Sequence, residues 1–316
     1  MKLPQISNTA DYQRHFNDDI WRSVAASICA RHNLPHSALR RAPQGENIIF
    51  LVDSALVIKI YTPLRRGYAR EKSALEFAEG KLGINTPALL HTGEIEGWSY
   101  LVMTQLAGLP MREVWPGVEA RERIEIVSRL GRALKNLHSH AAPLADPALN
   151  PGWHKFIERQ AETSLERQRA AGANSQWLES LPAYIEARLG LLPETSEPVL
   201  LHGDVHPINV LLAQEGGRWQ ISGLFDFADS LCGFHEYEFV APGVLMVQGN
   251  RDLQRALLLA YGYEESELNL NLRARLMLLT VLYECSDLRK YALRLRPEAV
   301  NFTLDELEAA IWTFAA

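Results

Sequence analysis

A chain that contains Leu200-Leu201-His202-Gly203-Asp204-Val205-His206-Pro207-Ile208-Asn209-Val210-Leu211-Leu212 must bring two short apolar strands to the ends of one tight polar loop. The loop presents a carboxylate, Asp204, and a carboxamide, Asn209. A third apolar run, 219–225, follows the turn at Gly216-Gly217 and ends in Phe225-Asp226-Phe227. Strand, loop, strand, turn and strand would gather Asp204, Asn209 and Asp226 around one cleft. The rest of the chain has to be built around that cleft.

The N-terminal part reads as mainly β after an opening helix. Ile20, Trp21, Val24, Ile28 and Cys29 keep helical spacing. Residues 48–52 and 56–61 are β-rich runs joined at Asp53-Ser54-Ala55, and a helix is predicted over 67–80. Two further strands, 88–93 and 99–104, turn at Glu96-Gly97. Beyond a hinge at 106–110 the pattern turns helical. Ile124, Val127, Leu130, Leu134 and Leu137 share one face of a helix over 119–140. Further helices are predicted over 153–170 and 176–191, strands over 198–202, 209–213 and 219–225, and about four helices from 236 onward. The reading is α+β and bilobal, with residues 1–106 as a small β-rich lobe and 107–316 as a larger, mainly helical one.

An acid and a carboxamide at this spacing suit transfer of a phosphoryl group to an alcohol. One carboxylate accepts the hydroxyl proton, and neighbouring oxygens hold Mg²⁺. The spacing is that of the Asp-x-x-x-x-Asn catalytic loop of kinases, and Phe225-Asp226-Phe227 parallels their metal-binding Asp-Phe-Gly. His202-Gly203-Asp204-Val205-His206-Pro207-Ile208-Asn209 together with Phe225-Asp226-Phe227 resembles the aminoglycoside phosphotransferase and choline kinase-like family, which has the protein-kinase fold. The resemblance spans roughly 40–240. It implies a nucleotide-binding lobe at 1–106 and a catalytic and substrate lobe at 107–316. It implies Asp204 as catalytic base, Asn209 and Asp226 as Mg²⁺ ligands, and ATP, or GTP in its place, as phosphoryl donor. Lys59, the only lysine between Lys2 and Lys72, interrupts Leu56-Val57-Ile58 and Ile60-Tyr61, where such a fold needs a phosphate-gripping lysine. Glu71 is its expected partner, ahead of Glu76 and Glu79. Gly45 and Asn47 fall where a loop covers the phosphates, and Met103, Gln105 and Leu106 where the adenine docks. No GxxxxGK[ST] or GxGxxG occurs.

Bland readings compete at several positions. His202 and His206 flank Asp204, but a hydrolytic metal site there would leave Lys59, Asn209 and Asp226 without a role. His202 is expected to support the loop through hydrogen bonds, and His206 either to do the same or to lie near substrate. Asp229 either touches metal or substrate or caps a turn. Glu236, Glu238, Glu284 and Asp287 are the acids available to hold a cationic acceptor from the helical lobe, although acids on helices are commonly just solvated. Trp153, Trp177 and Tyr283 are assigned to the core, and Cys232 to a buried thiol. The run Cys232-Gly233-Phe234-His235-Glu236-Tyr237-Glu238-Phe239 stands where many relatives have Gly-Asp-Pro and Asp-Leu-Ala, so no acceptor carries over directly.

Charge and cysteine usage narrow the class. The net charge of −6 disfavours nucleic acid as a partner. It is uneven: residues 1–106 hold 12 Lys/Arg against 10 Asp/Glu, and 107–316 hold 20 against 28. An anionic cofactor on one side and a cationic acceptor on the other would suit that division. Three scattered cysteines make no disulfide framework or metal motif, and no apolar run serves as leader or membrane span. The expected setting is cytoplasmic, without membrane or nucleic acid; nothing in the sequence bears on oligomeric state. Three functions share these residues: a kinase of an aminoglycoside or other amino-sugar, a kinase of a metabolite of choline, homoserine or sugar type, and a non-catalytic nucleotide binder. The first leads.

Overall fold

The computed structural model describes residues 3–42, 46–64 and 67–315. After α1 (Thr9–His15) and α2 (Ile20–Arg31), the chain forms β1 (Leu39–Arg41), β2 (Ile48–Val52), β3 (Leu56–Ile60), α3 (Gly67–Ala78), β4 (Leu89–Ile95) and β5 (Trp98–Thr104). The five strands make one antiparallel sheet in the order β1-β2-β3-β5-β4, which puts β3 at its centre. The β2–β3 connection carries positive φ at Asp53 and Ser54 (50° and 55°), the backbone of a type I′ turn closed by the Ala55 amide donating to the Val52 carbonyl at 3.0 Å. Asp53 repays that strain locally, because its carboxylate accepts the amides of Ser37 and Ala38 at 3.1 and 2.6 Å.

Strand alternation divides the sheet. Ile58 and Ile60 of β3 join Phe50, Tyr100 and Val102 in one apolar layer against Trp21, Val24 and Ile28 of α2. Each of these buried large side chains contributes about 1.5–3 kcal/mol relative to exposure. Lys59 lies between the two isoleucines in sequence and so faces the other way. On that face Leu101 and Met103 belong to the larger core that continues through α3 into the helical region.

The helical region holds α4 (Met111–Val114), α5 (Ala120–His138), α6 (Trp153–Ala170) and α7 (Ser175–Leu189). It continues with a single turn α8 (Val240–Pro242), then α9 (Arg251–Tyr261), α10 (Leu270–Leu282), α11 (Leu288–Leu295) and α12 (Leu304–Ile311). In α5 the inner face is Ile126, Val127, Leu130, Leu134 and Leu137; Ile124, expected there, is 40% exposed. Periodicity alone placed the stripe one position off at its start. The segment 199–233 supplies β7 (Val199–Leu201), β8 (Val210–Glu215), β9 (Arg218–Leu224) and β10 (Leu231–Gly233).

The stretch expected to be a hinge is fastened at its far end. Leu109 and Pro110 form a two-residue strand, β6, that pairs with Leu212 and Leu211 of β8. The Ser222 hydroxyl also donates to the Ala107 carbonyl at 2.7 Å. Gly108 permits this closeness: its φ is +124°, and a Cβ there would stand 2.8 Å from the Leu212 carbonyl oxygen. Only Gln105 to Ala107 separate the five-stranded sheet from this attachment.

Candidate active site

The helix period sets the first side chain. Ala74, Leu75 and Ala78 are the buried face of α3, and Glu71 sits three, four and seven residues before them, so it too points inward. Its carboxylate meets Lys59, with Nζ to Oε2 at 2.6 Å, and accepts the Tyr61 hydroxyl at 2.5 Å. Lys59 Nζ also reaches Asp226 Oδ1 at 2.7 Å. Lysine and glutamate are both almost fully buried, whereas the Asp226 side chain keeps 38% of its surface exposed.

Charge states follow from this chain of contacts. Burial works against the Lys59 ammonium, but Asp226 and Glu71 override it and hold the lysine protonated, above its ordinary range. Burial likewise raises Asp226, and Lys59 more than reverses that, leaving the carboxyl below its ordinary value. Asp226 is therefore an anion aimed at the cleft. Its backbone is left-handed (φ 68°, ψ 68°), a conformation Asp tolerates better than most residues, and it turns the chain sharply out of β9.

The loop 202–209 is tied down residue by residue. His202 Nδ1 accepts the Asp204 amide at 3.2 Å, so Nε2 carries the proton and donates it to the Phe225 carbonyl at 3.1 Å. His202 thus joins the loop to the Asp226 strand, with Phe227 against its ring at 4.5 Å. Gly203 has φ +83°, and a Cβ there would lie 2.4 Å from the Asp229 carbonyl oxygen. Only glycine allows that approach. The Asn209 amide nitrogen donates to Asp204 at its carbonyl (3.0 Å) and at Oδ2 (2.9 Å), and His206 Nε2 stands 3.2 Å from the same Oδ2.

Glu238, weighed from sequence as a holder of cationic substrate, lies beneath the loop instead. Its two oxygens accept the amides of His202 (2.6 Å) and Gly203 (3.0 Å), and His138 Nε2 approaches at 3.4 Å. Burial would raise its carboxyl, but His138 turns the shift downward. Glu236 is corrected too: Arg275 binds it through two nitrogens at 2.8 and 2.6 Å, Tyr263 donates to it at 3.0 Å, and it is 2% exposed. Asp287 caps α11 by accepting the Lys290 amide at 2.8 Å. Of the four acids only Glu284 stays exposed beside the cleft, loosely 3.9 Å from Arg159.

Lys59, Asp204, His206, Asn209, Asp226, Asp229 and Asn47 all line one cleft of about 690 Å³, a size suited to small ligands. Gly45 lies outside the described residues. Met103 is buried in β5. The Gln105 amide donates to the Ala55 carbonyl at 2.7 Å, and Leu106 lies over Gly223. Several lining residues, Tyr283 and Cys285 among them, were not assigned to the cleft from the sequence. Tyr283, assigned to the core, does bury its ring but gives its hydroxyl to the Gly203 carbonyl at 2.7 Å. Cys285 is exposed into the cleft, with its thiol pushed up to about 11 by burial and then by Asp229. Only their distance in sequence hid them.

The donor set fits Mg²⁺ with a nucleotide. Asp226 offers a half-exposed carboxylate, and Asn209 has its amide nitrogen turned to Asp204, which leaves its carbonyl oxygen for a cation. Among the described residues no three His, Cys, Asp or Glu side chains cluster as a self-sufficient metal cage. That is the expected pattern for Mg²⁺, which takes one or two protein oxygens and completes its shell with phosphate and water. Gln105 Oε1 is buried without a hydrogen-bond partner at the linker, an acceptor ready for a donor on a base.

Asp229 is pushed up to about 6 by burial and then by Asp204 and Asp226. An acid raised by folding binds more protons folded than unfolded, so stability falls as pH rises from about 4 to about 6. Asp229→Asn should therefore stabilise the metal-free protein at pH 7 by on the order of 1 kcal/mol. It should also flatten stability across that window. Urea denaturation at several pH values measures this; equal midpoints for variant and wild type at pH 7 would contradict it.

A two-lobed α+β fold with a lysine–glutamate pair, an acidic loop and a metal-competent Asp beyond it defines the kinase-like phosphotransferases. The chain belongs to the phosphotransferase enzyme family, whose model matches residues 40–277. It is 28% identical over 149 residues to an aminoglycoside 3'-phosphotransferase of Streptomyces fradiae, covering 46% of this chain and 52% of that protein. The corresponding enzyme of Streptomyces ribosidificus is 28% identical over 147 residues, with the same coverage. The chain spans about half the length of the curated relatives it matches. Among solved structures it resembles the GDP complex of wild-type aminoglycoside 2'-phosphotransferase-IIIa, with a TM-score of 0.68 at 15% identity, covering 92% of this chain and 99% of the other. It also resembles the streptomycin–ATP complex of APH(2")-IIa, with a TM-score of 0.59 at 16% identity and coverage of 92% and 99%. These likenesses establish the protein-kinase-like fold. No helix among the described residues is long and apolar enough to cross a membrane.

Proposed function

We propose that this protein moves the γ-phosphoryl group of ATP to a hydroxyl of a small molecule. The observation that carries the reading is the convergence, on one cleft, of the Lys59–Glu71–Asp226 chain and the Asp204–Asn209 pair. Lys59, kept charged and aimed by Glu71, pairs with the nucleotide phosphates. Asn209 and Asp226 hold Mg²⁺, which when bound neutralises charge on the group in transfer. Asp204 orients the acceptor hydroxyl and takes its proton. Met103, Gln105 and Leu106 receive the base, and Asn47 the phosphates. On this reading residues 1–106 grip the nucleotide and 107–316 supply catalysis and the acceptor wall. The natural setting is the cytoplasm, where Mg-ATP is plentiful.

The acceptor class that leads is a cationic amino-sugar, in keeping with Asp229 and Glu284 beside Asp204 and with the relatives' names. Lys290 also lines the cleft, and it favours the second reading, a metabolite that carries an anionic group as well as its hydroxyl. The deciding experiment is Mg-ATP consumption by the purified protein against aminoglycosides, amino alcohols, hydroxy acids and sugars. Turnover stimulated by one acceptor and lost in Asp226→Ala is expected. Stimulated turnover that survives in Asp226→Ala would overturn the site.

A further inference from the structure

A second cavity of about 710 Å³ lies between the start of α3, the sheet at Ser99 and the loop 147–151 that leads into α6. Among the described residues it shares only Arg70 with the catalytic cleft. Among them too, its charged lining is Arg70 and Arg159, with no carboxylate, in a chain whose net charge is −6. Arg70 makes no ion pair among the described residues, and Arg159 has one loose ion pair, 3.9 Å from half-exposed Glu284, besides its place 5.6 Å from the Phe156 ring centroid. The nearby acids are engaged elsewhere. Asp146 accepts the Ala148 amide at 2.8 Å, Glu96 accepts the Leu3 amide at 2.6 Å, and Glu71 holds Lys59 and Tyr61. The wall adds an aromatic corner, Tyr61 against Tyr68 edge to face at 5.5 Å.

We propose that this cavity binds a small ring-bearing oxyanion, its phosphate or carboxylate between Arg70 and Arg159 and its ring against Tyr61 and Tyr68. A concave site lined by two arginines and an aromatic corner suits that chemistry, since arginine pairs with planar or tetrahedral oxyanions through two nitrogens at once. The site is distinct from the phosphoryl-transfer cleft but meets it at Arg70, which lines both, and at Tyr61, whose ring centroid lies 5.4 Å from Lys59 Nζ. The Tyr61 hydroxyl, on the cavity wall, donates to the Glu71 carboxylate that aims Lys59. Occupancy is thereby placed to bias the lysine's position; this consequence rests on the kinase reading, whereas the binding itself does not.

The test is calorimetric titration of the full chain with phenyl phosphate, benzoate and, as neutral control, benzyl alcohol. One of the anions should bind and benzyl alcohol should not; whichever anion is tighter identifies phosphate or carboxylate as the group recognised. Arg159→Ala, a change at a half-exposed side chain, should weaken that binding at least about tenfold. Ala148→Trp, which fills the cavity, should do the same, and both variants should keep Mg-ATP affinity. Absence of anion binding by the wild type, or equal binding by wild type and Arg159→Ala, would overturn the proposal. Binding lost in Lys59→Met but kept in Arg159→Ala would place the probe in the catalytic cleft and overturn it as well. Failure of Mg-ATP to bind would count against the kinase reading alone.

Discussion

Asp204→Asn is expected to slow phosphoryl transfer by about 10²–10⁴-fold while leaving Mg-nucleotide affinity nearly unchanged. The size follows from the loss of a proton acceptor, not from a rearranged loop. Asparagine has the shape of aspartate, and its side-chain oxygen can still accept from Asn209, which meets Oδ2 at 2.9 Å. His202, Gly203 and Glu238 hold the loop backbone through contacts the substitution does not touch. On the proposed function nucleotide binding rests on Lys59, Asn209 and Asp226, so it should persist. Turnover with the best acceptor, measured beside nucleotide binding by calorimetry, separates the two. Wild-type turnover in the variant would remove Asp204 from the chemistry.

The second large effect is structural in origin and catalytic in outcome. In Glu238→Gln one acceptor oxygen becomes an NH₂ group that faces a backbone amide, either of His202 or of Gly203. A buried donor pair then stands where a charge-assisted hydrogen bond was, at a cost of about 2–4 kcal/mol. Urea denaturation should show that loss, and turnover should fall with it because the loop that carries Asp204 is no longer held. The acid limb gives a further check. Folding lowers the Glu238 carboxyl, so its contribution is complete above the ordinary glutamate range and declines as pH falls through the lowered value. The glutamine variant should lose that part of the wild type's acid sensitivity. An unchanged midpoint at pH 7 would mean that Glu238 does not hold the loop.

How much was readable in the sequence depended on how local each cause is. The strands around the 202–209 loop, the β2–β3 hairpin and Lys59 were readable because apolar alternation and turn residues are short-range signals. Glu71 was readable through its spacing to Ala74, Leu75 and Ala78. The β6 and β10 strands were not, since two or three residues carry no period. The fates of Glu236, Glu238 and Asp287 were hidden for a different reason. Each acid looks alike in sequence, and only the fold reveals that Arg275, the loop amides or a helix start lies opposite. Tyr283 met Gly203 across 80 residues, beyond the reach of any local pattern.

The attachment of Leu109 and Pro110 to β8 has a consequence for opening and closing. The linker and the hairpin that bears Asn209 and Asp226 at its two ends are sewn into one piece. Any hinge motion is left to Gln105, Leu106 and Ala107, and what swings is the sheet with Lys59. The cleft thus behaves as a vice with one fixed jaw. On the proposed function, entry of the base would meet a surface already set, and the grip on the phosphates would be the step that waits for movement.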